Sequence, residues 1–138
     1  MKLGAFLYPT GHHLAAWRHP DAQADAGLNF PHYTHLAQTA ERGKLDMIFL
    51  ADTLGSRDVA NIAAWSLRPT YTGQFEPLTL LAALSVVTKH VGLVATSTTT
   101  YNEPFHIARK YASLDHLSGG RAGWNQVTSS SPEEAFNF

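Results

Sequence analysis

Residues 45–52 read LDMIFLAD, a short run that is apolar at most positions and ends on an aspartate. A strand has this composition when both of its faces are buried, because the alternation of apolar and polar side chains then disappears. Such strands occur mainly in parallel sheets that helices cover on both sides. The run therefore predicts an α/β protein with a parallel sheet.

The sequence on both sides of this run alternates between strand-like and helix-like segments. Short apolar runs with polar ends predict the strands, and apolar faces with Pro at the start or Gly at the end predict the helices. We expect Asn29 to cap the first helix and Ser131 the last, because short polar side chains accept hydrogen bonds from a first helical turn. The predicted strands are 3–9, 45–52, 91–101 and 121–129, and the predicted helices are 29–43, 77–90, 103–120 and 131–138.

This βαβαβαβ order predicts parallel strands joined by right-handed crossovers, for which two architectures compete. A doubly wound nucleotide-binding sheet normally carries a Gly-rich turn after its first strand, but residues 8–17, YPTGHHLAAW, contain a single glycine. A (β/α)8 TIM barrel fits better, although such barrels typically have about 250 residues. We therefore expect residues 1–138 to form the N-terminal half of a (β/α)8 barrel, with about its first four βα units.

The overall composition excludes several classes of protein. Lys and Arg number 10 against 11 Asp and Glu, for a formal net charge of −1, so no basic stripe points to a nucleic acid. No apolar stretch approaches the roughly 18 residues of a membrane-spanning helix. The lack of cysteine excludes a disulfide scaffold and fits a reducing compartment, so we expect a cytoplasmic protein.

Polar side chains follow each predicted strand, whereas the first half of each strand is apolar. Because ligands of a parallel barrel bind at the carboxyl ends of its strands, these side chains are expected to share one rim. Many neutral donors and acceptors with a single carboxylate suit a flat, polar, heteroaromatic ligand better than a metal ion. The side chains expected at the rim are Tyr8, Thr10, His12, His13, Asp52, Thr53, Thr96, Ser97, Thr98, Thr99, Thr100, Tyr101, Asn102, Asn125, Thr128, Ser129 and Ser130, with the indoles of Trp17, Trp65 and Trp124.

The histidines and one triad-like group raise the possibility of a metal site or of acyl transfer. No spacing typical of a zinc site accompanies the 8 histidines, so we expect no metal centre. His12 and His13 lie on the predicted rim, where a ligand contact or a proton transfer is open to them. Ser113, Asp115 and His116 crowd one helix end without the glycines of a nucleophile elbow, which argues against acyl transfer.

Four longer strings carry a resemblance to one enzyme family. They are YPTGHHLAAWRHP (8–20), ERGKLDMIFLAD (41–52), TTTYNEPFHIARKYASLDHLSGGRAGWNQVTSS (98–130) and EEAFNF (133–138). Together they resemble the N-terminal part of flavin-dependent monooxygenases of the bacterial luciferase-like superfamily. Within it, they are similar to the group of nitrilotriacetate monooxygenase component A, pristinamycin synthase A and dibenzothiophene-sulfone monooxygenase. The resemblance covers nearly the whole chain, while members of that group are much longer.

The resemblance implies an oxidoreductase that oxygenates a small organic substrate with O2 and reduced FMN, which a separate NAD(P)H:flavin reductase supplies. The family's histidine pair falls on His12 and His13, which makes them the candidate catalytic residues near the substrate. The long segment 53–76 would lie on the substrate side. The residues that match the family's FMN pocket are Asp52, Thr98, Asn102, Asn125 and Thr128.

Other readings of the same resemblance stay open. One is a flavin-binding or inactive remnant without turnover, because further flavin contacts of the family fall beyond these residues. Another is a luciferase-like oxidoreductase that uses the deazaflavin coenzyme F420, although TYNEP (100–104) and GRAGWN (120–125) favour the FMN branch. A half barrel has two open sheet edges, so we also expect self-association into a homo-oligomer.

Overall fold

A computed structural model describes residues 1–13, 15–55 and 73–138 and contains one parallel sheet of 4 strands, which pair in chain order. A doubly wound sheet reverses its strand order at a switch point, whereas neighbouring strands of a barrel follow one another. The observed order therefore confirms the predicted α/β fold and fits consecutive strands of a barrel. The strands are β1 (Gly4–Phe6), β2 (Met47–Leu50), β3 (Gly92–Thr98) and β4 (Ala122–Val127).

The helices alternate with the strands as the sequence predicts, but one of them ends early. α2 stops at Ser85 rather than at residue 90. The following residues, 86–88, are all β-branched and form helix poorly. Beyond them, the Glu41 carboxylate accepts hydrogen bonds from the backbone N–H groups of residues 89–91, which therefore cannot continue the helix. No helix in the described ranges is long and apolar enough to cross a membrane. The α-helices are α1 (Phe30–Arg42), α2 (Pro77–Ser85), α3 (Pro104–Ser118) and α4 (Pro132–Ala135), and short 3-10 helices cover Ala16–Arg18 and Ala26–Leu28.

The two predicted caps have different outcomes. Asn29 caps α1, since its Oδ1 accepts a hydrogen bond of 2.9 Å from the backbone N of His32, and this prediction is confirmed. Ser131 occupies the N-cap position of α4, but its side chain makes no capping bond. Its hydroxyl binds the Glu133 carboxylate instead, so the prediction of a side-chain cap at Ser131 is wrong.

The hydrophobic core lies between one face of the sheet and the helices. Ile48 and Leu93 on neighbouring strands and Leu81 and Leu84 on α2 are fully buried there. The opposite face of the sheet, which in a barrel lines the interior, is less well covered. Phe6 on this face stays 44% exposed.

Arg121 joins the amino end of β4 to the end of α2. Its guanidinium points at backbone carbonyls that no longer have helical partners, and a cation complements the negative end of a helix. This arrangement fixes the start of β4 under the last turn of α2. The five bonds run from Nε to Ser118 O (2.7 Å), from Nη1 to Thr88 Oγ1 and Val91 O (both 2.9 Å), and from Nη2 to Ser85 O (2.9 Å) and Thr88 O (3.2 Å).

Candidate functional site

The carboxyl ends of β2 and β3 bring three of the predicted ligand-binding residues to one cleft. Asp52, Thr98 and Asn102 all line a cavity of about 620 Å³. Ligand cavities in proteins commonly have about 300–1,000 Å³, so this space is large enough for a small organic ligand. From the rim the cavity continues outward between α2 and α3, where leucine side chains line it. The site thus combines polar groups at the strand ends with an outer wall in which leucines lie beside the basic side chains of His106, Arg109 and Lys110.

Hydrogen bonds within the β3 end hold Thr98 and Asn102 in place before any ligand binds. Thr98 Oγ1 accepts from the backbone N of Thr100 at 3.2 Å and lies 2.8 Å from Ser129 Oγ. Asn102 donates through Nδ2 to Thr98 O at 3.0 Å. This bond does not use Asn102 Oδ1, which remains an acceptor for a ligand N–H group.

Asn125 and Thr128 do not join this cavity lining. Asn125 pairs with Thr96 in the register of β3 and β4, and its Nδ2 donates to Thr96 Oγ1 at 2.9 Å. Thr128, just beyond β4, has an exposed side chain. The role of these two residues in flavin binding stays a prediction.

The two adjacent histidines point to different places. His12 Nε2 lies 2.9 Å from Phe6 O, and its ring contacts the Phe6 ring with centroids 4.6 Å apart. His12 thus lies at the end of β1 beside the partly exposed face of the sheet. His13 Nδ1 accepts from the backbone N of Ala15 at 3.1 Å and lines a separate open depression with Arg18. Neither imidazole lines the cavity beside Asp52.

The predicted rim aromatics are also dispersed. Trp124 lies on the helix-covered side of the sheet, where its Nε1 donates to Ser97 O at 3.0 Å and its ring lies 5.7 Å from that of Tyr111. The expectation that Trp124 lies at the rim is therefore wrong. Trp65, like most of the segment 53–76 expected on the substrate side, falls outside the described residues.

Asp52 has an unusual electrostatic environment. Its carboxyl group is half-buried at the end of β2, and burial raises the pKa of Asp52 from 3.8 to about 6. A hydrogen bond of 2.9 Å from the backbone N of Thr53 to Oδ1 acts in the opposite direction. The nearby carboxylates of Glu76 and Glu134 raise the pKa further by repulsion. Asp52 can therefore hold or release a proton close to neutral pH.

Glu134 is a residue of the site that the sequence did not single out. It lies on α4, and its side chain is almost fully buried against the loop that follows Asp52. Its Oε1 accepts from Leu54 N at 2.9 Å and from Thr53 Oγ1 at 3.0 Å. A glutamate in the first turn of a helix is ordinarily explained by the helix dipole, so the sequence offered no signal for this contact.

Comparison with known proteins gives matches along nearly the whole chain. The family profile described as Luciferase-like monooxygenase matches residues 10–138. N-acetyl-S-(2-succino)cysteine monooxygenase of Bacillus subtilis is 58% identical over 100% of the chain, and nitrilotriacetate monooxygenase component A of Aminobacter aminovorans is 48% identical over 100% of the chain. The chain spans only 30% and 32% of these relatives.

Solved structures show the same relationship. The crystal structure of a riboflavin lyase with modified FMN and its substrate riboflavin matches 99% of this chain with a TM-score of 0.87 and 34% sequence identity. The match covers 32% of that protein. The four-stranded sheet with its helices is therefore the same arrangement that this larger flavin-binding enzyme contains.

Proposed function

Because this chain belongs to the luciferase-like monooxygenase family, we propose that it forms the part of a reduced-FMN-dependent monooxygenase that holds the flavin at the ends of β2 and β3. The observation that carries this proposal is the convergence of Asp52, Thr98 and Asn102 on one cavity. These are the residues on which the family's flavin contacts fall most directly. The complete enzyme would oxygenate a small organic substrate with O2.

The chemistry of these groups fits a flavin. An isoalloxazine ring presents carbonyl oxygens and ring nitrogens, which require neutral donors and acceptors in fixed positions. Asn102 offers both an amide acceptor and an amide donor, and Thr98 is already oriented by its bonds to Thr100 and Ser129. The half-buried Asp52 would accept from a ring N–H when ionised and donate when protonated.

The protein's own contribution would be binding, orientation and exclusion of water. Bound reduced flavin supplies the electrons and the oxygen chemistry. The apolar side chains of Leu78 and Leu114 line the cavity beyond the polar groups and would lower its access to water. Asp52 would take up and release a proton beside the ring, because its pKa, raised to about 6, lies within about one unit of neutral pH.

Of the two candidate catalytic histidines, His12 is better placed than His13. His12 lies at the end of β1 and contacts Phe6 on the face of the sheet that lines a barrel interior. A substrate held over that face would come within reach of its imidazole, so His12 is the better candidate for a proton transfer. His13 would contribute only if the substrate extended toward the depression near Arg18.

We further propose that a separate NAD(P)H:flavin reductase delivers the reduced flavin and that the chain works as a homo-oligomer in the cytoplasm. The relative named component A is one part of a system with more than one component. The partly exposed Phe6 face supports self-association, because buried apolar area stabilises an assembly.

An anaerobic titration of this chain with reduced FMN tests the proposal. Asp52→Ala and Thr98→Ala should each weaken binding by about 1–3 kcal/mol, because each removes a hydrogen bond in a partly buried site. Thr99→Ala is the matched control, since the Thr99 hydroxyl is bonded to Val127 O and lies away from the cavity lining.

The same titration distinguishes the alternatives. Failure of wild-type chain to bind reduced FMN would overturn the proposal, and binding of F420 in its place would support the deazaflavin branch. Flavin binding without oxygenated product in a reductase-coupled assay would identify a binding remnant. Equal affinity of wild type, Asp52→Ala and Thr98→Ala would remove these residues from the site.

A further inference from the structure

The side chain of Glu134 on α4 meets two other chain segments at the carboxyl edge of the sheet. Glu134 is 7% exposed, and its Oε1 accepts from both Thr53 Oγ1 and Leu54 N in the loop after β2. The hydroxyl of Ser129, which follows β4, lies beside this carboxylate and lowers the pKa of Glu134. A buried carboxylate with several donors is held strongly, because bonds to an ionised acceptor are about twice as strong as neutral ones.

The loop after β2 also packs directly on the backbone of α4. Asn137 Nδ2 donates to Leu54 O at 2.5 Å. At Gly55 there is no room for a side chain, because a Cβ atom would lie 2.7 Å from the backbone N of Glu134. The loop and α4 therefore form one tightly fitted unit next to Asp52.

Ser129 extends this connection to β3. Its Oγ lies 2.8 Å from Thr98 Oγ1, and Thr98 is one of the residues that line the cavity. The Ser129 hydroxyl therefore connects the cavity residue Thr98 with the buried side chain of Glu134.

We propose that Glu134 is a positioning residue that joins the loop after β2 to the segment after β4, and through Ser129 to the end of β3, and thereby sets the place of Asp52 relative to Thr98. The link to flavin rests on the proposed function above. The positioning itself stands on contacts among residues of this chain, so it can be measured without any ligand.

The charge of Glu134 has a second effect on the same site. The hydrogen bond from Ser129 is the main cause that lowers the pKa of Glu134, so its carboxylate is ionised at neutral pH. Among the residues that the structure describes, the charged or titratable groups around Asp52 are Glu76 at the start of α2, Glu134 on α4 and Tyr111 on α3. The same cavity is also lined by the cationic side chains of Arg109 and Lys110 and by the imidazole of His106.

Three variants of the chain separate positioning from charge. Glu134→Ala removes all the bonds, whereas Glu134→Gln keeps an oxygen that can accept from Leu54 N and Thr53 Oγ1 but loses the charge. Glu133→Gln is the matched control, because it removes the same charge from the same helical turn while its carboxylate binds Ser131. The readouts, all without flavin, are the hydrogen-exchange rate of the Leu54 amide and the titration of the Asp52 carboxyl by NMR.

We expect the Leu54 amide to exchange about tenfold faster or more in Glu134→Ala, while Glu134→Gln stays within about threefold of wild type. The pKa of Asp52 should fall in Glu134→Gln and stay unchanged in Glu133→Gln. Unchanged Leu54 exchange in Glu134→Ala, with the rest of the sheet still protected, would overturn the positioning role. A matching loss in Glu133→Gln would also overturn it, because the effect would then belong to α4 as a whole.

Reduced-FMN affinity separates this inference from the proposed function. If wild-type chain binds flavin, Glu134→Ala should weaken binding by about tenfold, and an unchanged affinity would contradict the inference. If wild-type chain does not bind flavin, the proposed function fails. The exchange and titration results then still decide whether Glu134 positions Asp52.

Discussion

Replacement of Asp52 by Asn should make the protein more stable above pH 6 and flatten its dependence on pH. The pKa of Asp52 rises from 3.8 to about 6, chiefly through burial, so the folded state binds more protons than the unfolded state between these values. The free energy of unfolding of wild type must therefore fall as pH increases through this window. Asn keeps an Oδ1 that can accept from Thr53 N, while it carries no charge.

The size of this effect follows from the shift. A pKa unit corresponds to about 1.4 kcal/mol, so a rise from 3.8 to about 6 sets an upper bound of about 3 kcal/mol. Solvent still reaches the half-buried carboxyl and screens it, so we expect about 1–2 kcal/mol. Asp52→Asn should match wild type near pH 4 and exceed its stability by this amount near pH 7.

Urea unfolding at a series of pH values from 4 to 8 measures the difference. Asp21→Asn is a suitable control, because the Asp21 side chain is 90% exposed and its loss removes the same charge. Parallel stability curves for wild type and Asp52→Asn across the window would refute the reasoning. A free energy of unfolding that rises with pH in wild type relative to the variant would also refute it. That sign is expected when the fold stabilises the ionised carboxylate, which lowers the pKa instead of raising it.

Two further predictions concern the scaffold of the site. Asn29→Ala should destabilise the protein by about 1 kcal/mol in urea unfolding, because the backbone N of His32 loses its cap, and Asn29→Ser should recover most of the loss. An equal loss in both variants would assign the stabilisation to the bonds between Asn29 and Asp25 instead. Arg121→Met should cost about 3 kcal/mol or more, because several carbonyls lose a charged donor. Arg42→Met, which removes one exposed bond, should stay within about 0.5 kcal/mol of wild type, and similar losses in both arginine variants would contradict the role of Arg121.

Most of the fold could be predicted from local patterns. The apolar runs placed β2 and β3, the Asn29 cap and the prolines placed helix starts, and the order of elements required a parallel sheet. The early end of α2 could be predicted in this way only in part. The β-branched residues 86–88 are a local signal, but the Glu41 carboxylate that binds the following backbone comes from a different helix. Local propensity describes a segment, whereas tertiary contacts decide where the segment stops.

The candidate site was predicted only in part for a related reason. The carboxyl ends of parallel strands share one edge, so the convergence of Asp52 and Thr98 was accessible from strand order alone. Strands that are apolar on both faces carry no period, so the face on which Trp124 lies could not be read from its position. The structure places Trp124 against Tyr111 and not at the rim.

The sequence by itself determined the parallel α/β architecture and the residue types at the strand ends, because these depend on pattern and composition along the chain. It also indicated the family, through four strings that resemble known members. Only the tertiary structure decided that Glu134 lies against the loop after Asp52, since Leu54 and Glu134 stand 80 residues apart. The raised pKa of Asp52 also depends on the tertiary structure, because the carboxyl group is buried and close to other charges only after the chain has packed.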